Sequence, residues 1–146
     1  MNNICEKLTC KSGEETCVGY LYQIKKDSQL PCIIMGSGFG GTQDTPSMIA
    51  TANSFAQAGL AAFTLDYRHL GESEGEPRQL VNIQGQQEDI LSAIHFIKEH
   101  PFTDGNRLAL WGSSLGGGHA VSVAAKSPDI SAVIAQIPFI IYLIDN

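Results

Sequence analysis

The period of apolar and polar residues changes near residue 30. Before it the two classes alternate and predict two strands, Glu6 to Lys11 and Cys17 to Ile24, split by the turn-like Ser12-Gly13-Glu14-Glu15. Residues 25–29 read as a polar turn. From Leu30 to Met35 the apolar run is continuous, as in a strand covered on both faces. A glycine-rich loop follows, and Thr45 with Pro46 reads as N-cap and first turn of a helix over 46–58. Met48, Ile49, Ala52, Phe55 and Ala56 recur there at helical spacing, and Gly59 stops the helix. Leu60 to Leu65 is a second buried strand, followed by a polar loop from Asp66. A helix from about Ile83 to Glu99 carries the stripe Ile90, Leu91, Ile94 and Ile97, with Glu88 and Asp89 toward the positive end of its dipole. Asp104-Gly105 is a turn, Arg107 to Trp111 a strand, and Leu115 to Lys126 a helix broken by Ser127-Pro128. Ile130 to Ile137 is the last strand.

Strands alternating with helices from residue 30 onward predict an α/β fold. Its sheet is mostly parallel, with right-handed crossovers and helices on both faces. Ligands bind such sheets at the carboxyl ends of the strands. Three loops fall there: 36–45, 66–80 and 112–115. The 146 residues suit one domain, and no internal repeat or linker divides them.

Composition narrows the partners. Hydrophobic residues make up 43% and charged residues 16%, which fits a globular chain. A net charge of -6 argues against nucleic acid or an anionic membrane surface. The N-terminal residues carry no signal-like apolar core, and no span of about 20 apolar residues occurs. A cytoplasmic location is the expectation. Cys5, Cys10, Cys17 and Cys32 lack C-x-x-C spacing and a neighbouring histidine, so free thiols are expected and no metal site.

The chemistry concentrates at Gly112-Ser113-Ser114-Leu115-Gly116, a G-x-S-x-G sequence between a strand and a helix. Such a turn pushes a serine hydroxyl out above the sheet, and the small flanking residues let strand and helix approach. Ser114 is the candidate nucleophile. The N–H of Leu115 would face a developing oxyanion. A second donor usually comes from the loop after an earlier strand, and Phe39 in Ser37-Gly38-Phe39-Gly40 is the candidate.

The same loop supports a competing pattern. Gly36-x-Gly38-x-x-Gly41 matches a dinucleotide fingerprint, and Asp66 ends the next strand, where a ribose-binding carboxylate would sit. In that motif the glycines open the helix, so that its N-terminus meets the pyrophosphate. Here residues 42–45 intervene, and no cofactor is expected.

Taken together, residues 35–41, 66–78 and 110–119 resemble, in order and spacing, the N-terminal half of an α/β-hydrolase. The nearest likeness is to dienelactone-hydrolase-like and small esterase members. The resemblance implies a truncated α/β-hydrolase domain over 1–146, with Ser114 as nucleophile and Phe39 and Leu115 as oxyanion donors. One difference is Ser37-Gly38, where the family often has His-Gly.

In this fold the triad acid and histidine follow the nucleophile. After Ser114 the sequence offers Asp145 as an acid beyond the last strand and His119 as histidine. His119 is five residues along the same helix, roughly 7 Å of rise away, and leaves from the wrong place. His95 and His100 belong to the preceding helix or its end. His69 lies in a catalytic-side loop and is the best placed of the four, beside Asp66 and Arg68, which are expected to fix that loop. By the resemblance two strands with their helices are absent. The expectation is a fragment or a prematurely stopped gene, or a partner chain supplying the missing half, with an exposed sheet edge open to self-association. The expected function is a serine hydrolase acting on a carboxylic ester, thioester or lactone, a small-molecule acyl substrate. Acyltransferase and peptidase chemistry share the same elbow. The alternative is a non-catalytic truncated product or interaction module.

Overall fold

The computed structural model describes residues 3–26 and 29–140. The polar turn falls partly, and Asp145 with the rest of 141–146 wholly, outside the described residues. Nine elements follow one another among the described residues: β1 (Ile4–Ser12), β2 (Glu15–Gln23), β3 (Leu30–Gly36), α1 (Pro46–Gln57), β4 (Ala61–Leu65), α2 (Ile83–Lys98), β5 (Thr103–Ser113), α3 (Leu115–Lys126) and β6 (Ile130–Gln136).

The six strands form one mixed sheet in the order β1-β2-β4-β3-β5-β6. β1 and β2 are antiparallel, and β2 meets β4 antiparallel. The other three pairings are parallel, as the strand–helix alternation requires. Side-chain alternation assigns the two faces. Ile33, Met35, Ala62 and Trp111 point to one, where Met48, Ala52 and Ala56 of α1 cover them. Cys32, Ile34, Phe63, Leu108 and Leu110 point to the other, under Ile90, Ile94 and Ile97 of α2 and Ala120 and Val123 of α3. Both faces of the central strands are thus dry, which explains their uninterrupted apolar sequence.

The structure departs from the expected elements at the start of β5 and in the role of Glu88 and Asp89, and it refines the helix caps. β5 begins at Thr103, before the predicted Asp104-Gly105 turn, because the turn is a bulge inside the strand. Leu30 pairs with Thr103 and Cys32 with Leu108, leaving Asp104–Arg107 looped out. Asp104 accepts there from the N–H of Asn106 and from Arg107 Nε. Thr45 caps α1 by position only, with no side-chain cap bond. The working cap is on α2, where Asn82 Oδ1 accepts from Gly85 N at 2.8 Å. Glu88 and Asp89 are not in the first turn of α2; both bind Arg68.

At the far edge, β6 pairs with β5 alone among the described residues, and Val133 and Ile134 are exposed. No helix among the described residues is long and apolar enough to cross a membrane. All four cysteines are free, with Cys10, Cys17 and Cys32 buried. Burial pushes the Cys10 and Cys17 thiols up to about 11 and about 12, so they are inert.

Candidate active site

Ser114 is the junction between β5 and α3, and it is exposed. Its backbone stands at φ 56, ψ -120, a region that side chains other than glycine's seldom occupy. Three backbone bonds hold it there. Its N–H donates to Gln136 O at 2.9 Å, and its carbonyl accepts from Gly118 N at 3.1 Å and Phe139 N at 2.9 Å. The end of the neighbouring strand β6, the helix that leaves and the segment after β6 thus all bond to this one residue. Replacing Ser114 by glycine is expected to relieve strain, and replacement by alanine to keep it. In urea unfolding Ser114→Gly should exceed Ser114→Ala by about 1–3 kcal/mol. Equal stabilities would show that the turn is unstrained.

The turn is this sharp because its glycines leave no room for a side chain. A Cβ on Gly112 would lie 2.0 Å from Gly116 O, and one on Gly116 would lie 2.6 Å from both Gly36 O and Ser37 O. The first contact fits α3 onto β5. The second brings the end of β3 against the start of α3. The Leu115 N–H is the first of the helix, where no intrahelical acceptor exists and the dipole is positive.

The loop after β3 lies beside this turn. A Cβ on Gly38 would stand 3.4 Å from Ser113 O and 3.7 Å from Ser114 Cβ. The loop closes on itself, with Gly41 N donating to Gly38 O at 3.1 Å and Ser37 Oγ to Gly41 O at 2.8 Å. Ser37 is buried, and where the resemblance would place a histidine its hydroxyl ties the loop instead. Phe39, between these bonds, is 77% exposed with its ring in solvent. Beyond the loop, Gln43 N donates to Asp66 Oδ1 at 2.8 Å, and Thr64 Oγ1 donates to Gln43 Oε1 at 2.8 Å. Asp66 Oδ2 also accepts from Glu72 N at 3.0 Å. The buried Asp66 carboxylate is therefore occupied in joining two loops and is not displayed to a ribose. α1 starts at Pro46, five residues after Gly41, as the late start expected from sequence requires.

Arg68 braces the second loop. Its Nε and backbone N–H both reach the buried Asp89, the latter at 2.9 Å, and its Nη2 reaches Glu88 at 3.0 Å. Ser12 Oγ donates to the same Asp89 at 2.6 Å, tying β1 to α2. Sequence reasoning missed Asp89, since a carboxylate in an amphipathic helix looks like part of its solvated face.

The histidines are engaged elsewhere. His69 Nδ1 lies 3.0 Å from Pro77 O, inside its own loop. His100 Nδ1 accepts from Phe102 N at 3.2 Å, and His95 lines a hollow with Thr9 and Cys10 beside β1. His119 is 1% exposed, with Nε2 2.8 Å from Gln86 Oε1 and its ring edge-on to Tyr67. Burial lowers its pKa to about 4, so the ring is neutral at pH 7. Among the described residues there is no group of three His, Cys, Asp or Glu side chains able to hold a metal.

Comparison with known proteins agrees with this fold. Quorum-quenching protein AidA of Acinetobacter baumannii (strain MDR-ZJ06) is 41% identical over 128 residues, 88% of this chain and 42% of AidA. Thiohydrolase apmlB of Arthrinium phaeospermum is 36% identical over 123 residues, 82% of this chain and 38% of that protein. The crystal structure of the alpha/beta hydrolase GrgF from Penicillium sp. sh18 superposes with a TM-score of 0.83 at 29% identity, covering 94% of this chain and 46% of that one. The chain thus spans about two fifths of the length of these curated relatives. Residues 32–142 match the family described as Serine aminopeptidase, S33. With that match over the elbow, the preceding glycine loop and the sheet that carries them, the chain belongs to the serine aminopeptidase (S33) family of α/β-hydrolases.

Proposed function

We propose that this chain is the nucleophile-bearing part of a serine hydrolase acting on a carboxylic ester, thioester or lactone. The observation that carries this is Ser114 on its left-handed turn, at the start of α3 and against the loop 37–41. Ser114 Oγ attacks the acyl carbon and loses its proton to a base, and the carbonyl oxygen becomes an oxyanion. The N–H groups of Leu115 and Phe39 stabilise that charge. Collapse expels the alcohol, thiol or ring oxygen, which takes up the proton. Water then attacks the acyl-enzyme and releases the carboxylic acid and free Ser114. In the chain order of this fold the acid and histidine follow the elbow helix. A relative named a thiohydrolase supports the acyl class. The free thiols support a cytoplasmic location.

A fluorophosphonate tests this without a natural substrate. Oγ bonds to phosphorus, the P–F bond breaks, and fluoride and the serine proton leave. Labelling here draws on the oxyanion donors and is slow, but intact mass should still show one adduct on the folded chain and none on Ser114→Ala. A second reading, a non-catalytic interaction module, is favoured by the exposed Val133, Ile134 and Phe139 at the β6 edge. A folded chain that forms no Ser114-dependent adduct and sediments as a dimer would support that reading and overturn the first.

A further inference from the structure

We infer that Tyr67 is a positioning residue for the oxyanion loop, acting through the Ser37 carbonyl. This rests on the proposed role of Ser114 for its kinetic consequence only. Tyr67 follows β4 and is wholly buried, yet its hydroxyl reaches the adjoining loop and donates to Ser37 O at 3.1 Å. That contact needs space in β3. A Cβ on Gly36 would lie 2.4 Å from Tyr67 Oη, so Gly36 is the gap through which the hydroxyl enters.

The carbonyl it binds is critical to the site. Ser37 O belongs to the peptide whose N–H is that of Gly38, one residue before the candidate donor Phe39. The same oxygen would lie 2.6 Å from a Cβ on Gly116, so it is pressed against the start of α3. A rotation of that peptide would drive the carbonyl toward the helix or turn the following N–H groups away from Ser114. Of the other two bonds in the loop, Ser37 Oγ to Gly41 O holds its far end, and Gly41 N to Gly38 O holds the next peptide, the one that carries the Phe39 N–H. Neither fixes the Ser37 peptide plane. Tyr67 does, and its ring is in turn seated edge-on against buried His119, at 5.9 Å between centroids. A phenol so held has no freedom to follow a moving loop, which is what a fixed hydrogen-bond anchor requires.

Tyr67→Phe removes the hydroxyl and keeps the ring. Two measurements separate this inference from the role of Ser114. In hydrogen exchange by mass spectrometry, the variant should exchange the 37–41 segment faster, with α1 and β1 unchanged. In fluorophosphonate labelling, its maximal rate should fall about 10-fold to 100-fold with the half-saturating concentration unchanged, as misplacement of a reacting group predicts. Unchanged exchange in 37–41 overturns the inference whether or not Ser114 is labelled. Absence of labelling in the parent chain, with faster exchange in the variant, overturns the role of Ser114 and leaves Tyr67 as the loop's anchor. Where Tyr67→Phe does not fold, Gly36→Ala reaches the same bond from β3, and normal exchange in its 37–41 segment would equally overturn it.

Discussion

Gly112→Ala is expected to lower the unfolding free energy by at least about 3 kcal/mol, the upper part of the usual cost of overpacking. The added methyl would sit 2.0 Å from Gly116 O, 2.2 Å from Gly116 C and 2.6 Å from Gly117 N. All three are backbone atoms of the first turn of α3, so no rotamer change relieves the clash. The strand has no slack either. Gly112 pairs with Gly36 on one side and Ala135 on the other. The helix must therefore lift from β5, and doing so breaks the bonds at Ser114 and pulls Gly116 from the carbonyls of Gly36 and Ser37. Set against a typical domain stability of about 5–15 kcal/mol, this is a large fraction. Urea unfolding followed by circular dichroism would measure it. A loss under about 1 kcal/mol would mean that α3 can shift freely, and the account of the elbow given above would then be wrong.

Acid is expected to destabilise the chain through His119 by about 3 kcal/mol between neutral pH and pH 4. The sign follows from the two states. Unfolded, the imidazole titrates near its ordinary 6.5; folded, burial holds it at about 4. Between these values the unfolded chain binds more protons, so stability falls as the pH drops. The contribution is full above about 6.5 and is lost as the pH passes down through 4. Around the ring stand Gln86, Gln87 and Tyr67, none of which carries a negative charge to favour imidazolium. His119→Gln keeps a polar group in the place and removes the titration. Urea midpoints at pH 7, 6, 5 and 4 should then fall less steeply for the variant, whereas parallel curves would assign the acid sensitivity to other groups.

Much of the framework is legible in the sequence because local signals agree with global ones. Leu30–Gly36 is apolar throughout, since helices cover it on both faces, and α1 shows its buried side at Met48, Ala52 and Ala56. The elbow is legible for a related reason: Gly112 and Gly116 flank Ser114 because main chains meet there. What escaped depended on partners distant along the chain. Asp89 looks like a surface carboxylate until Arg68 and Ser12 arrive from elsewhere. Asp104-Gly105 has the composition of a turn and is one, yet pairing between Leu30 and Thr103 extends the strand behind it. Ser37 and Tyr67 gave no signal at all. A serine in a glycine loop and a tyrosine after a strand are both ordinary until the hydroxyl of each is seen to fix a carbonyl.

The bonds from Ser114 to Gln136 and Phe139 bear on how the turn keeps its place. They fasten the serine to the strand beside it and to the residues that leave that strand. The chain is therefore tethered at Ser114 where it leaves β6, through Phe139. The turn is in this sense a fixed pivot, its place set by the neighbouring strand as much as by its own.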